Sequence, residues 1–256
     1  MRQKSHNKIQ STYWDKIALK RERELSQQKT SWPAIKEMEE FFEFLNPQKN
    51  DRILEIGCGT GRYTMPLLQL GCKVHGTEIS ALSLRMLRKL AKAEHLERNL
   101  SLEATDFENP KKCQVHFNKY SKALMVAVIH HFDPPKRNTI MKNIVSSLKK
   151  GGSLTSLEPN PLNPFYYFLY FWRFLLNKQG VNRWSTETGM LYTNIFNLKR
   201  LYRRMGLVDI QVKRYAFFPS AFGKYFPPIL LINDIITRTP ILKEFSAYIW
   251  IKGTKG

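Results

Sequence analysis

The stretch that decides the fold is Arg52-Ile-Leu-Glu-Ile-Gly-Cys-Gly-Thr-Gly-Arg-Tyr63. Ile53, Leu54 and Ile56 form a short apolar run, which is typical of a parallel strand covered on both faces of its sheet. The glycines that follow let the backbone turn sharply and let a ligand approach without interference from Cβ atoms. A helix that begins after such a turn offers unpaired N–H groups. The stretch therefore predicts a strand, a glycine turn and a helix, with a ligand site at the turn.

The spacing of the glycines indicates which kind of ligand the turn binds. A dinucleotide-binding turn has the pattern G-x-G-x-x-G and seats a pyrophosphate on the helix N-terminus. Here the pattern is E-x-G-x-G-x-G, because Glu55 precedes Gly57 by two residues and Gly61 comes one residue early. A carboxylate at a strand end suits a cationic or amine-bearing ligand better than a phosphate. In this pattern the stretch resembles motif I of the class I S-adenosylmethionine-dependent methyltransferases (type 11/12-like).

The resemblance implies a fold and a domain organisation. The expected fold class is α/β, with a Rossmann-like doubly wound seven-stranded sheet that is mostly parallel and has an antiparallel last strand. We expect residues 1–48 to form an N-terminal helical arm or cap. We expect residues 49–256 to form the methyltransferase domain, with apolar helical insertions at about 163–193 and 221–243.

Further acidic residues fall where the family places them. Glu78 ends the predicted second strand, 17 residues after Gly61, where an acid commonly binds ribose hydroxyl groups. A carboxylate accepts hydrogen bonds from both hydroxyls. In the family an acid after the third strand bonds the adenine amino group, and Asp106 matches that position. The resemblance thus implies S-adenosyl-L-methionine as cofactor, held by Glu55, Gly57, Cys58, Gly59, Gly61, Glu78, Ile79, Asp106, Phe107, Ala127 and Tyr13.

Two other groups of residues are candidates for the acceptor side of the site. In many family members an aromatic-plus-acid group like Tyr13-Trp14-Asp15 lies in an N-terminal helix that closes over the cofactor; simple docking of a terminal helix is the alternative. His131 follows the predicted fourth strand and is the candidate catalytic base, since a neutral imidazole accepts a proton from a reachable acceptor. A structural role for His130 and His131 is the alternative. No third ligand stands at a zinc spacing, so no metal site is predicted.

The charge distribution bears on the partner. The chain carries a net charge of +20, and residues 151–256 contribute fourteen Lys or Arg against five Asp or Glu. Such a field attracts acidic lipid or nucleic acid, and solubility alone is the other interpretation. The three cysteines show no paired spacing, and the N-terminus is polar. These features favour a cytoplasmic protein, with peripheral contact at the inner membrane face as a further expectation.

Two apolar segments, residues 165–176 and 227–236, suggest the nature of the acceptor. Residues 165–176 are too few to span a bilayer, and Arg173 interrupts them. We expect the two segments to form a lid over an apolar acceptor channel and part of the lid to touch an anionic membrane, helped by Arg173, Lys178 and Arg183. Packing of the segments on each other as extra core is the alternative.

Three functions remain open from the sequence. The first is methylation of a small-molecule or lipid-like acceptor. The second is methylation of RNA, because Ala127-Val-Ile-His-His-Phe132 is similar to the strand-four end of tRNA wobble-uridine methyltransferases and the basic charge agrees. The third is cofactor binding without catalysis, which the intact glycine turn, Glu78 and Asp106 disfavour. The oligomeric state and the acceptor atom are not predicted.

Overall fold

The computed structural model describes residues 11–15, 32–105, 118–168, 189–218 and 229–256. In these ranges the chain forms one seven-stranded sheet in the order β3-β2-β1-β4-β5-β7-β6. Strands β1 to β5 are parallel, and β7 runs antiparallel to both β5 and β6. The predicted doubly wound sheet with an antiparallel last strand is therefore confirmed. The strands are β1 (Arg52–Ile56), β2 (Lys73–Glu78), β3 (Leu100–Ala104), β4 (Tyr120–Val126), β5 (Leu148–Pro159), β6 (Leu207–Tyr215) and β7 (Tyr248–Lys255).

Helices cover both faces of the sheet and bury its apolar side chains. They are α1 (Trp32–Leu45), α2 (Thr64–Gln69), α3 (Ala81–Ala93), α4 (Pro134–Ser147), α5 (Ile195–Arg204) and α6 (Ile229–Arg238). One buried cluster joins α1, α2 and α3 to the sheet and includes Phe41 and Trp250. The second joins α4 and α5 to the opposite face and includes Met125 and Tyr202. Residues 11–15 are also helical.

Polar caps and glycines set the limits of the helices that carry the site. The Ser80 side chain accepts a hydrogen bond from the Ser83 N–H and so begins α3. Asn194 begins α5 in the same way through the Asn197 N–H. Gly71, at φ 81°, follows α2 and lets the chain turn back into β2. The helices therefore run back across the sheet, and the loops that leave β1, β2, β4 and β5 meet at its carboxyl edge.

That edge is where open α/β sheets bind their ligands. The strand order changes direction between β1 and β4, and the crevice outside the carboxyl ends of these strands is the usual binding position. The glycine turn leaves β1 at this point. The proposed boundary between an arm of residues 1–48 and a domain of residues 49–256 stays a prediction, as do the two insertions, because residues 169–188 and 219–228 lie outside the described ranges.

Candidate functional site

The glycine turn is held against its neighbours at two of its glycines. Gly57, Gly59 and Gly61 have φ angles of 72°, 54° and 96°, in the left-handed region that favours glycine. A Cβ added at Gly57 would stand 2.7 Å from Cγ2 of Val128, and one added at Gly61 would overlap the side chain of Leu87. The backbone is thus exposed to the crevice on one side and packed on the other.

Cys58 lies beneath the turn and fixes its position. Its side chain is buried, and a Cβ added at Gly76 of β2 would stand 2.9 Å from the Cys58 sulfur. The N–H groups of Gly57 and Cys58 both donate to the Thr77 carbonyl, at 2.8 and 3.1 Å. The turn is therefore anchored to β2, and the Cys58 side chain packs against that strand, while its contact with a cofactor stays a prediction.

Glu55 is a buried carboxyl at the end of β1. Its Oε2 accepts a hydrogen bond from Thr64 Oγ1 at 2.6 Å. Burial raises the pKa of Glu55 to about 8; the Thr64 bond opposes the rise, and the nearby Glu78 charge adds to it. An ionised carboxylate out of water needs an opposite charge beside it. The site therefore fits a ligand that brings a cation to this position.

The Glu78 carboxylate, at the end of β2, connects that strand to the glycine turn by hydrogen bonds. Its Oε2 accepts from the Gly59 N–H at 3.0 Å, and its Oε1 accepts from the Ser80 N–H at 2.9 Å. A carboxylate offers about four acceptor positions, so both bonds are compatible with ribose hydroxyls as additional partners. Ile79, the next residue, is half-buried at the same edge. Glu55, Glu78 and the glycine turn thus come together as the sequence predicts.

The helical residues 11–15 lie across this edge. Asp15 Oδ1 is hydrogen bonded to the Ser80 hydroxyl, next to the exit of β2. Trp14 packs edge-on against the His131 ring at 5.5 Å between centroids, and Tyr13 packs against Trp14 at 5.2 Å. The segment therefore reaches from the exit of β2 to the exit of β4. A direct contact of Tyr13 with a cofactor stays a prediction.

The exit of β4 is a tight turn that the end of β5 holds in place. Ala127 has φ 56°, and its N–H donates to the Leu157 carbonyl at 2.7 Å. The buried Glu158 accepts from the N–H groups of Val128 and Ile129, at 3.0 and 2.8 Å. Its second oxygen lies 2.7 Å from Nδ1 of His130.

The sequence places Glu158 at the exit of β5, facing the ligand crevice, but assigns it no role of its own. The structure pairs it with His130, and His131, the predicted base, instead lies between His130 and Trp14 with its ring centroid 3.9 Å from that of His130. The role of His131 stays a prediction. The signal for such a role is an acid next to the last residue of a strand whose second half is buried. Asp106 and Phe107 lie outside the described residues, so their proposed adenine contacts stay predictions.

Exposed apolar side chains cluster at the carboxyl edge. Of the twelve large hydrophobic residues that are exposed in the described ranges, only Leu70 and Val208 lie at the opposite, amino edge. The other ten follow β5 or β6, precede β7, or begin α5. We call this set the apolar rim: Leu162, Tyr167, Phe168, Leu191, Phe196, Ile232, Ile235, Ile241, Leu242 and Phe245.

Buried amides hold the segments of the apolar rim together. Asn160 Nδ2 donates to the carbonyls of Glu244 and Ser246, each at 2.8 Å. Asn163 Nδ2 donates to the carbonyls of Phe217 and Phe245, at 2.7 and 2.6 Å. The exit of β5 is thereby fixed to the exit of β6 and to the approach to β7. Because these buried amide groups are hydrogen bonded, they hold the backbone of the apolar rim in one arrangement.

The raised pKa of Glu55 predicts that the carboxyl group loses a proton when the cofactor binds. Because its pKa is raised to about 8, the folded cofactor-free protein holds a proton that the unfolded chain has lost between about pH 4.5 and 8. The contribution of Glu55 to the free energy of unfolding is therefore fully present below about pH 4.5, and it is lost as the pH rises to about 8. A bound cation lowers the pKa, so we expect proton release on S-adenosylmethionine binding at pH 7.

Calorimetry in two buffers of different ionisation enthalpy measures this release. Glu55→Gln should abolish it and should flatten the pH dependence of stability between pH 5 and 8. Glu43→Gln, which changes an exposed carboxylate on α1, is the control and should leave both quantities unchanged. Equal proton release by wild type and Glu55→Gln would rule out Glu55 as the source.

Comparison with known proteins agrees with this geometry. A family model described as a methyltransferase domain matches residues 53–152. A demethylmenaquinone methyltransferase of Geobacillus stearothermophilus is 24% identical over 191 residues, which are 69% of this chain and 79% of the relative. A 23S rRNA (uracil(1939)-C(5))-methyltransferase of Marinomonas posidonica is 33% identical over 93 residues, 36% of this chain. The match spans only 19% of that RNA enzyme's length.

The fold also matches a solved structure over almost its whole length. A SAM-dependent methyltransferase from Thermotoga maritima, described as a possible histamine N-methyltransferase, superposes with a TM-score of 0.62 at 19% identity, covering 96% of this chain and 99% of that one. The matched domain model contains the glycine turn, Glu55 and Glu78, and the sheet order agrees with the expected fold. The chain therefore contains a methyltransferase domain at residues 53–152 and has the fold of a solved SAM-dependent methyltransferase, in agreement with the resemblance of its glycine turn to motif I.

Proposed function

We propose that this protein transfers a methyl group from S-adenosylmethionine to a small lipid-like acceptor that it takes up at an anionic membrane surface. The observation that carries the proposal is the apolar rim at the carboxyl edge of the sheet, the edge at which the glycine turn also leaves β1. A monomeric protein seldom exposes a large contiguous apolar surface unless it binds something there. The match to a demethylmenaquinone methyltransferase, which is the longer of the two matches to relatives, supports a lipid-like acceptor.

The residues of the proposed cofactor site divide into three roles. Glu55 receives the cationic amino-acid end of the cofactor, and the glycine turn lets the backbone approach it. Glu78 accepts from the ribose hydroxyls, and Asp106 and Phe107 bind the adenine. When bound, S-adenosylmethionine supplies an electrophilic methyl group on a positively charged sulfur. The protein's contribution is to orient the acceptor and to exclude water, which in this fold is mainly positioning.

The membrane part of the proposal rests on the chemistry of the carboxyl edge. Among the described residues no helix has the length and apolar character needed to cross a bilayer. A surface that combines exposed apolar side chains with basic ones binds at the lipid interface. Arg238 and Lys243 flank Ile235, Ile241 and Leu242. The aromatic residues 169–176 and the basic Arg173, Lys178 and Arg183 of the sequence prediction lie outside the described ranges.

Vesicle co-sedimentation tests the membrane contact. The full chain should bind vesicles that contain phosphatidylglycerol, more strongly as the acidic fraction rises and less strongly as salt is added. Leu191→Ser with Phe196→Ser should weaken binding at least fivefold, because both side chains are exposed on the apolar rim, at 70% and 74%. The matched control is Leu70→Ser with Val208→Ser, since these exposed residues lie at the amino edge. Equal loss in both double variants would contradict a role for the apolar rim.

RNA methylation is the second candidate function, and a specific observation supports it. The match to the rRNA (uracil-C5)-methyltransferase reaches 33% identity, and the net charge of +20 suits a polyanion. The exposed apolar rim is against it, because phosphate backbones are bound by basic grooves with a few stacking aromatics. Competition between the acidic vesicles and bulk tRNA distinguishes the two. Displacement from vesicles by equimolar tRNA would favour the RNA alternative.

A further inference from the structure

The exposed side of α5 combines one apolar residue with a group of cations. The buried side chains of the helix pack on the sheet, so its opposite side faces away from the core. Phe196 of the apolar rim lies on that side, and four basic residues follow it at intervals of three, four, seven and eight positions. Residues at these intervals share one side of a helix. We call these four basic residues the α5 basic face: Lys199, Arg200, Arg203 and Arg204.

No acidic residue balances the α5 basic face. The helix contains no acid, and in the described ranges no carboxylate forms an ion pair with any of the four cations. Lys199 with Arg203, and Arg200 with Arg204, are like charges four residues apart, which destabilise a helix. The helix dipole favours cations in the last turn, but Lys199 and Arg200 lie in the middle of α5. An anionic partner explains the arrangement better than helix stability does.

The direction of α5 relates its basic face to the apolar rim. The helix begins at the carboxyl edge, where the Thr193 hydroxyl donates to the Pro159 carbonyl, and it ends before β6 begins at the amino edge. Along the helix axis, Arg200 lies about 6 Å and Arg204 about 12 Å beyond Phe196. The headgroup layer of one leaflet is about 5–8 Å thick. A bilayer whose apolar boundary meets Phe196 therefore has its phosphates at the level of Lys199 and Arg200.

We propose that the α5 basic face binds the phosphate groups of an anionic phospholipid bilayer, with Lys199 and Arg200 in closest contact. The inference rests on the proposed function and adds a headgroup site and an orientation to it. The carboxyl edge faces the bilayer, and α5 extends away from it. Arg203 and Arg204, one turn further away, attract the same phosphates through water at low salt.

The chain offers a matched control in α3, a second basic helix that also begins at the carboxyl edge. Its exposed residues Arg88 and Lys89 lie in the middle of the helix, as Arg200 and Lys199 do in α5. The helix packs on the opposite face of the sheet and contributes no residue to the apolar rim. Arg88→Gln with Lys89→Gln therefore removes the same two charges as Lys199→Gln with Arg200→Gln, away from the proposed contact.

Co-sedimentation of the full chain with vesicles of equal parts phosphatidylglycerol and phosphatidylcholine measures the contact. Lys199→Gln with Arg200→Gln should lower the partition coefficient at least fivefold, and the α3 double variant should change it less than twofold. Equal loss in both would show that net charge alone governs binding and would overturn the proposal. Retention of bulk tRNA is measured with the same proteins. A loss confined to tRNA would assign the face to nucleic acid and would also overturn the proposal.

Modification of arginine side chains by phenylglyoxal, read by mass spectrometry, tests the orientation in the wild-type protein. The acidic vesicles should slow the reaction of Arg200 at least threefold and that of Arg204 by a smaller factor. They should leave the reaction of Arg88 unchanged. Equal protection of Arg88 and Arg200, or greater protection of Arg204 than of Arg200, would overturn the proposed orientation.

The rim variant separates failure of this inference from failure of the proposed function. If Leu191→Ser with Phe196→Ser binds the acidic vesicles as wild type does, and Lys199→Gln with Arg200→Gln does not, the rim fails and the α5 basic face is supported. If wild type binds no acidic vesicles at low salt, the α5 basic face is ruled out together with the membrane contact. Methyl transfer to a lipid extract then decides the acceptor class independently.

Discussion

Replacing Gly57 by valine should weaken S-adenosylmethionine binding at least 100-fold, or about 2.7 kcal/mol. A Cβ at this position would overlap Cγ2 of Val128 at 2.7 Å, and the φ of 72° disfavours a branched residue. The turn must shift, and its shift moves the backbone away from the ligand. Isothermal titration calorimetry on the folded variant measures the loss.

Gly151→Val is the control for this substitution. Gly151 has nearly the same backbone angle, φ 74°, but nothing lies within 4 Å of an added Cβ. It therefore introduces the same kind of backbone strain far from the glycine turn. Cofactor affinity should stay within about twofold of wild type while thermal stability falls. Unaltered affinity in a folded Gly57→Val protein would show that the turn does not form the cofactor site.

Glu78→Ala should weaken cofactor binding by about 1–3 kcal/mol, the cost of losing a charged hydrogen-bond partner. The carboxylate is expected to accept from the ribose hydroxyls and it already orients the N–H groups of Gly59 and Ser80. Loss of the ribose contact affects only ligands that carry ribose hydroxyls, whereas a shift of the glycine turn affects every ligand bound there. A cofactor analogue without ribose hydroxyls should bind the variant and wild type with nearly equal affinity if the ribose contact dominates.

The affinity of the Glu78→Ala variant for the analogue can also contradict the ribose contact. An equal loss of affinity for the analogue and for S-adenosylmethionine would mean that Glu78 acts on the glycine turn rather than on the ribose. Glu43→Gln serves again as the control, because its carboxylate is exposed near the end of α1, before β1 begins. Its affinity should match that of wild type.

The fold could be predicted from the sequence because its signals are local. The apolar run before the glycine turn, the acid that ends β2 and the capping Ser80 each specify their own element within a few residues. The sheet order then follows from the rules for parallel strands with crossover helices. The limits of the elements were less predictable: β5 begins at Leu148, directly after α4, where the glycines Gly151 and Gly152 suggest a later start.

The contacts on the acceptor side of the site could not be predicted because they join distant parts of the chain. Glu158 meets Val128, Ile129 and His130 across about thirty residues. Only the parallel register between β4 and β5, which pairs Val126 with Leu157, brings these ends together. Sequence spacing cannot tell His130 from His131, since the short helical turn at residues 129–131 decides which ring faces Glu158.

The apolar rim is a property of the assembled fold in the same way. Leu162, Leu191 and Ile241 are separated in sequence, and each alone would be an ordinary exposed side chain. They lie at one edge of the sheet because β5, α5 and β7 all have an end at the carboxyl edge. The Thr193 hydroxyl illustrates the join, since it donates to the Pro159 carbonyl at 2.9 Å. The sequence predicted apolar segments near this edge but not the contribution of the start of α5.

The most direct test of the account is transfer of a radiolabelled methyl group. The purified full chain is incubated with methyl-labelled S-adenosylmethionine and either a total lipid extract or total RNA, both from cells that lack the protein. We expect label in the organic phase of the lipid reaction, abolished by Gly57→Val and retained by Gly151→Val. Label that appears in the RNA reaction and is absent from the lipid reaction would contradict the proposed acceptor.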